Sequence, residues 1–257
     1  MKTSSGRNEA TGAEGVDRSD GEFTGRLGLA YAFANGVTPY ASYATYFTPQ
    51  IVNDAAGNKV EPETGRQWEA GLKWAPSQRS LITLSAFDLE RENVSISAWG
   101  GAGYEYFQVG KIRSRGVELE ARGEIMTGLT LTGALTSMDI EVREDVNPAL
   151  VGKTPKATPE NFASLRLDWQ VAQVEGLSVM AGVRRLGASW ADDLNQYKVD
   201  GATLYDLGAS YAFGEGWLVA ASVTNLTDRD YVSSCDGALS CFYGDGRRAS
   251  LSLRKSW

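Results

Sequence analysis

The chain contains two cysteines and no histidine, and these facts limit its chemistry at once. Cys235 and Cys241 are separated by five residues, a spacing that permits either a short disulfide loop or a pair of thiolate metal ligands. The missing histidine removes the side chain that most often serves as a general base, zinc ligand or proton shuttle near neutral pH. Most hydrolytic active sites are therefore excluded. We predict a chain that is not an enzyme, with no catalytic residue, cofactor or metal site of its own.

Composition and charge exclude further classes of protein. With 42% hydrophobic residues in 257, the chain is too apolar to be disordered. Its 32 acidic residues outnumber its 25 basic ones, and no basic stripe is present, so we predict no nucleic-acid partner. No apolar run approaches the roughly 20 residues of a membrane-spanning helix. Residues 1–21 are polar and lack the apolar core of a signal peptide.

Apolar and polar residues alternate along most of the chain, which is the period of strands with one apolar and one polar face. Trp68, Leu72 and Trp74, for example, alternate with Gln67 and Glu69. About eleven such segments can be recognised, at residues 22–34, 37–48, 64–76, 80–94, 105–125, 128–142, 158–172, 175–189, 201–213, 216–228 and 246–257. Helical periodicity is not convincing anywhere, so the fold class is all-β.

The connections between these segments are alternately short and long. The short ones carry turn residues, at 35–36, 76–78, 126–128, 173–175 and 214–216, and the long ones are polar, at 49–63, 95–104, 143–157, 190–200 and 229–245. This arrangement favours an antiparallel up-and-down sheet of the transmembrane β-barrel type. A soluble β-sandwich or barrel is the alternative. Charged, Ser and Thr residues on the polar face, and aromatic residues near the strand ends, favour the membrane barrel.

Several motifs resemble those of the TonB-dependent outer-membrane receptors, in the same order along the chain. They are Tyr40-Ala41-Ser42-Tyr43 with Phe47-Thr48-Pro49, Val60-Glu61-Pro62-Glu63-Thr64-Gly65 leading into Trp68-Glu69-Ala70-Gly71, Ser114-Arg115-Gly116-Val117-Glu118-Leu119-Glu120, Val223-Thr224-Asn225-Leu226-Thr227-Asp228-Arg229-Asp230-Tyr231, and the terminal Trp257. The resemblance implies a barrel of 22 strands with an N-terminal plug domain. Residues 22–257 would then be its last eleven strands, residues 1–21 the remnant of an extracellular loop, and the plug would be absent.

The resemblance also implies a function and a set of partners. The whole receptor would import a ferric siderophore across the bacterial outer membrane, with energy from the TonB–ExbB–ExbD complex delivered through the plug. Outer-membrane lipid and the barrel assembly machinery would be further partners, and Trp257 would be the C-terminal sorting residue. An open sheet leaves backbone groups unpaired in hydrocarbon, so we expect the fragment not to act alone. A passive porin is the alternative function, while an outer-membrane hydrolase is disfavoured by the lack of histidine.

In such a barrel the two cysteines lie in the last extracellular loop, where a disulfide is the simplest outcome in an oxidising compartment. Thiolate ligation of iron is the poorer alternative, because a siderophore already fills the coordination sphere of the metal. Together with Phe242 and Tyr243, the pair resembles the final loop of ferrichrome-type hydroxamate receptors. Asp236 departs from that branch, which has an aromatic residue directly after the first cysteine.

Aromatic side chains on the extracellular side are the candidate ligand contacts, because ferric hydroxamates present a compact and partly apolar shell. With Asp236, the candidates are Tyr46, Phe47, Trp99, Tyr104, Tyr106, Phe107, Trp190, Phe242 and Tyr243. For each of them, a place in an aromatic girdle or in loop packing is the alternative. We further predict that Arg115, Glu118, Glu120 and Arg122 face the lumen.

Overall fold

The computed structural model describes residues 2–3, 18–19, 21–50, 52–54, 57–99, 104–237 and 239–257. Its main element is one sheet of eleven strands. The strands are β1 (Arg26–Ala30), β2 (Val37–Thr48), β3 (Glu63–Ser77), β4 (Ser80–Trp99), β5 (Tyr104–Met126), β6 (Leu129–Glu144), β7 (Asn161–Gln170), β8 (Leu177–Leu186), β9 (Ala202–Phe213), β10 (Trp217–Thr224) and β11 (Arg248–Lys255). The all-β fold and the eleven predicted segments are confirmed.

Each strand pairs with the next one along the chain, and every pairing is antiparallel. The sheet is therefore an up-and-down meander with β1 and β11 at its two edges in the described part of the chain. Because the number of strands is odd, both edge strands run in the same direction. The two edges consequently cannot pair with each other in an antiparallel ladder.

Four of the five short turns share one glycine-based arrangement. Gly36, Gly128, Gly176 and Gly216 all have positive φ, between 77° and 82°. Each glycine lies in the turn of a hairpin, and its carbonyl accepts an N–H at 2.8–3.0 Å from the next strand after that hairpin. For Gly216 the donor is Ser256, directly after β11. A Cβ atom on Gly176 would lie 2.2 Å from the Ala212 carbonyl oxygen, so only glycine fits this close approach. These turns lock successive hairpins together at the short-turn end of the sheet.

The two faces of the sheet differ in polarity, and the apolar face is the exposed one. Trp68 and Trp74 lie on the apolar face of β3, and 62% of Trp68 is accessible. Tyr205 and Tyr211 lie on the same face of the sheet in β9, again six residues apart. Six residues of strand span about 20 Å, comparable with the apolar band of about 25 Å on membrane barrels. Large exposed apolar side chains are expected where lipid rather than water is the solvent.

The predicted loop at 95–104 is wrong, because β4 extends to Trp99 and β5 begins at Tyr104. These strands have 20 and 23 residues, about twice the 9–11 needed to span a bilayer. Charged rows on the same side of the sheet as Trp68 lie beyond the apolar band. They pair Arg66 with Glu90, Arg113 with Asp88, Arg115 with Asp139, and Lys111 with Glu92 and Glu144. Such cross-strand ion pairs keep the extended hairpin in register above the band.

One predicted orientation in this region is also wrong. Glu118, Glu120 and Arg122 share the face opposite to Val117 and Leu119, as predicted. Arg115 has the parity of Val117 and pairs with Asp139 in the charged rows, so it does not face the lumen. Because side chains alternate strictly within β5, the odd-numbered Arg115 lies on the same face as Val117 and Leu119.

Few elements lie outside the sheet. Ser189–Trp190 pairs with Lys198–Val199, Val232–Cys235 pairs with Cys241–Tyr243, and Lys2–Thr3 pairs with Arg18–Ser19. Most of the predicted loop remnant at 1–21 falls outside the described residues, and its role stays a prediction. The described part of the chain has a single helical turn, Pro148–Leu150, and no helix in it is long and apolar enough to cross a membrane.

Candidate functional site

Three successive long loops are joined by hydrogen bonds at the end of the sheet opposite the short turns. The Ala157 N–H donates to the Trp190 carbonyl at 2.8 Å. The Asn195 side chain accepts from the Thr154 N–H at 2.9 Å and donates to the Thr154 carbonyl at 2.7 Å. The β6–β7 and β8–β9 loops therefore form a connected surface.

The last loop is attached to this surface by its disulfide hairpin. Cys235 and Cys241 are joined with an Sγ–Sγ distance of 2.06 Å, so the predicted disulfide is present. The Gly237 N–H next to it donates to the Ala191 carbonyl at 3.0 Å. Asp236 forms an ion pair with Lys156 at 2.7 Å. Asp236 thus holds the hairpin on the β6–β7 loop by charge, where the resemblance predicts an aromatic residue.

A cavity of about 440 Å³ lies between this hairpin and the β8–β9 loop. Its lining combines aromatic rings, charged side chains and the disulfide, including Tyr197, Lys198, Arg229, Tyr231 and Tyr243. Tyr243, a predicted ligand contact, is 76% exposed. The cavity is therefore an open depression that a compact molecule could enter from the loop side.

The predicted ligand contacts fall into two groups. One is in the loops above β8 to β11, where Trp190 is half-buried and Phe242 is exposed beside Tyr243. The other lies along β2, β4 and β5, where the backbones of Trp99 and Tyr104 pair at the hairpin tip and Tyr106 and Phe107 follow two and three residues later. The side chains of Trp99 and Tyr104 lie outside the described residues. The role of each aromatic residue in ligand binding stays a prediction.

Tyr46 and Phe47 are adjacent in β2 and therefore lie on opposite faces of the sheet. Tyr46 pairs with Gly65 on the polar face, while Phe47 pairs with Thr64 on the other. The hydroxyl of Tyr46 donates to Glu63 at 2.7 Å. Of these two candidates, only Tyr46 is placed to contact a ligand in the lumen.

Sequence reasoning missed Glu63 as a functional candidate, although it lies in one of the quoted motifs. Its carboxylate is buried and accepts hydrogen bonds from Tyr46 and from Arg91, at 3.0 Å from Nε and 3.1 Å from Nη2. The signal was the motif itself, Val60-Glu61-Pro62-Glu63 at the start of β3. No local pattern identified its partners, because Arg91 is 28 residues away.

Asn225 was missed in the same way, within the motif that ends β10. It is 2% exposed and has a φ of 48°. Its amide donates to the carbonyls of Arg229 at 2.9 Å and Asp245 at 3.1 Å, and its oxygen accepts the Arg229 N–H at 2.9 Å. Its own N–H donates to Asp206 at 3.1 Å. Asn225 therefore fastens both ends of the last loop to β9 and β10.

No group of three or more His, Cys, Asp or Glu side chains that could hold a metal ion is present among the described residues. The cysteines are both in the disulfide, so thiolate ligation of iron is wrong for this structure.

A family model described as TonB dependent receptor-like, β-barrel, matches residues 1–226. The match covers well over half of the chain, so the chain belongs to the family of TonB-dependent receptor β-barrels. The resemblance and the outer-membrane location predicted from the sequence are thereby confirmed. From its membership of this family we assign the polar face of the sheet to the lumen and the long loops to the extracellular side.

Particular relatives are similar over most of this chain. It is 35% identical over 240 residues to the ferrichrome outer membrane transporter and phage receptor of Escherichia coli (strain K12), covering 90% of this chain and 32% of that protein. It is 34% identical over 260 residues to the ferrioxamine receptor of Yersinia enterocolitica, covering 98% and 36%. The chain thus spans about a third of the length of these relatives.

The fold is also similar to that of a solved receptor. The ferripyoverdine receptor of the outer membrane of Pseudomonas aeruginosa, bound to ferripyoverdine, superposes with a TM-score of 0.75 at 25% identity. The match covers 93% of this chain and 33% of the receptor.

Proposed function

We propose that this chain is part of the barrel of a receptor that imports a ferric siderophore of the hydroxamate type across the outer membrane. The observation that carries the proposal is the 34–35% identity, over nearly the whole chain, to receptors named for ferrichrome and ferrioxamine. The ligand is a ferric chelate that arrives with its own iron ligands. This agrees with the aromatic and polar side chains that line the loop cavity, such as Tyr197, Tyr231 and Tyr243.

The eleven-stranded sheet supports import by a larger barrel. Both edge strands run in the same direction, so antiparallel closure needs an odd number of further strands between them. In hydrocarbon, open edges would leave backbone groups unpaired at several kcal/mol each. Strands outside this chain close the barrel, and a plug domain connects it to the TonB–ExbB–ExbD complex. The barrel assembly machinery inserts it.

Two extracellular regions of this chain bind the chelate. Tyr46 contributes from the luminal wall, and Phe242 and Tyr243 contribute from the disulfide hairpin. Asp236, where ferrichrome-type receptors have an aromatic residue, is engaged with Lys156. The rings of Phe242 and Tyr243 therefore provide the apolar contact of this loop, which shifts the preference among hydroxamate chelates.

The test uses the full-length receptor that contains this chain. Addition of ferrichrome or ferric ferrioxamine B should quench its tryptophan fluorescence, and the quenching should saturate at one chelate per receptor. Uptake of the ⁵⁵Fe-labelled chelate should disappear in a TonB-deleted strain. Uptake that persists without TonB would reject active transport and favour the passive porin. The 257 residues expressed alone should give no energy-dependent uptake.

A further inference from the structure

Glu63 is a buried carboxylate at the extracellular end of the luminal wall. The backbone pairing of β2 with β3 does not need a carboxylate at this position. Glu63 is 9% exposed, and a buried carboxylate is costly unless it is paired and hydrogen-bonded. Here the pairing is complete: Tyr46 donates at 2.7 Å, and Arg91 donates from Nε and Nη2. One carboxylate therefore connects side chains of β2 and β4 across the start of β3.

The ring of Tyr46 lies against a glycine next to the end that carries its hydroxyl. A Cβ atom on Gly65 would lie 2.0 Å from Cε1 of Tyr46, so the ring occupies the space that any other residue would fill. The ring is therefore held flat on the luminal wall by Gly65, while Glu63 holds its hydroxyl. This fixes both the position and the tilt of the aromatic surface.

The segment before Glu63 is fastened to the extended β4–β5 hairpin. The Gln108 side chain accepts the Glu61 N–H at 3.1 Å and donates to the Glu61 carbonyl at 2.8 Å, which copies a backbone pairing. Asn93 donates to the Pro62 carbonyl at 3.3 Å. The β2–β3 loop, Tyr46 and the hairpin are thus one connected unit.

Arg91 adds a polar group to this unit. Its side chain is 38% exposed, and Glu63 accepts from two of its nitrogens. A guanidinium has five N–H donors, so donors remain for oxygen atoms of a ligand. An aromatic face next to a held guanidinium suits a chelate whose shell carries both apolar groups and carbonyl oxygens.

We infer that Glu63 is a positioning residue that holds Tyr46 and Arg91 as one ligand-facing unit on the luminal wall, an inference that rests on the proposed function. Glu63 itself does not contact the chelate. Its contribution is preorganisation: the ring and the guanidinium are already ordered before the ligand arrives.

The experiment measures the affinity of the full-length receptor for ferrichrome by fluorescence quenching. Glu63→Ala should weaken binding at least ten-fold, and Glu63→Gln about three-fold, because an amide oxygen still accepts from Tyr46. Glu61→Ala is the matched control, since Glu61 contacts Gln108 through its backbone, and its affinity should equal that of the parent. Tyr46→Phe, which keeps the ring but loses the link, should weaken binding about three-fold.

The double variant Glu63→Ala with Tyr46→Phe separates positioning from general loss of structure, because each change alone already removes the hydrogen bond between Tyr46 and Glu63. If both changes break one link, the double variant should bind no more weakly than the weaker-binding single variant, whereas independent effects would multiply. Parent-like affinity of Glu63→Ala, or multiplying effects in the double variant, would overturn the inference. If Glu63→Ala does not assemble, Glu63→Gln decides, with parent-like affinity again overturning it.

Failure of the proposed function has a different signature. If the parent receptor binds no ferric hydroxamate, the proposed function fails, and hydrogen exchange of the unliganded receptor then tests the positioning. Glu63→Ala should speed exchange in residues 61–66 and 91–94 but not in 225–231. Unchanged exchange in residues 61–66 and 91–94 would overturn the positioning role of Glu63. Equal acceleration in these residues and in 225–231 would also overturn it.

Discussion

Two long extracellular loops are fastened at their bases by different chemistry. The β2–β3 loop ends at Glu63, whose charge is paired with Arg91, a side chain that is partly accessible to water. The last loop begins at Asn225, a neutral amide that is almost completely buried and bonds to backbone groups. An amide can satisfy a carbonyl and an N–H at once without desolvating a charge, whereas an ion pair tolerates water but is weakened by salt. Both fastening residues are buried, so the comparison teaches that a charged residue can fasten a loop base where its partner reaches water, as Arg91 does, whereas a neutral amide serves where the partners are backbone groups.

The largest effect is expected from Asn225→Ala, which removes the buried fastening. Three side-chain hydrogen bonds disappear, leaving the Arg229 and Asp245 carbonyls and the Arg229 N–H without their present partner. The free energy of unfolding of the full-length receptor should fall by about 3 kcal/mol, as measured by denaturant titration in detergent. Asn225→Asp keeps the acceptor for the Arg229 N–H but sets a buried carboxylate oxygen against the Arg229 and Asp245 carbonyls, so it should cost at least as much. An unchanged unfolding midpoint for the alanine variant would contradict the role given to Asn225.

The disulfide is a second fastening of the same loop, and its removal should rank next. Replacing Cys235 and Cys241 together by serine should destabilise the hairpin by about 2 kcal/mol, since a short loop closure is lost from the unfolded chain. Hydrogen exchange in residues 232–243 measures this, with the reduced parent as the comparison. If exchange in the double serine variant equals that of the oxidised parent, Asn225 and the Lys156–Asp236 pair are sufficient to hold the hairpin without the disulfide.

Glu63→Ala should cost less stability than either change, about 1–2 kcal/mol, although its effect on ligand affinity is large. The unpaired Arg91 is partly accessible and can be hydrated, so the full penalty of a buried lone charge does not apply. The same denaturant titration measures this, with Glu61→Ala as the control. A loss as large as that of Asn225→Ala would remove the distinction between the two loop bases.

The smallest effect concerns salt. Raising NaCl from 0.1 M to 1 M shortens the Debye length from about 10 Å to about 3 Å. The opening free energy that hydrogen exchange reports for residues 61–66 should therefore fall by up to about 1 kcal/mol, whereas that of residues 225–231, where the Asp228–Arg247 pair is long at 3.6 Å and exposed, should fall less. Equal responses of the two segments would show that charge does not distinguish them.

Much of the fold could be predicted because apolar and polar residues alternate along the strands of a membrane barrel. Trp68, Leu72 and Trp74 each needed only their parity to be placed on the apolar face. The same rule, misapplied to Arg115, gave the wrong face, and the loop at 95–104 was wrong because polar composition there reflects a strand above the membrane. Strand length beyond the apolar band depends on cross-strand partners such as Asp139, which are distant in the chain.

The candidate site could be predicted only in part. Residue type identified the aromatic candidates. The disulfide could be predicted because the chain has only two cysteines, which leaves one possible pairing. The partners of Glu63, Asn225 and Asp236 could not be predicted, because they lie on another strand or loop or, for Asn225, at the far end of the same loop, and no periodic pattern indicates them.

The sequence by itself determined the all-β class, the count and order of the strands, the end that carries the long loops, and the family. These follow from local alternation and turn residues, which act between neighbours in the chain. Only the tertiary structure decided which aromatic residues share a face with the lumen, how far β4 and β5 rise above the membrane, and that Glu63 and Asn225 fasten the loops. Those features depend on strand register, which brings together side chains tens of residues apart, and a single sequence records the side chains but not their register.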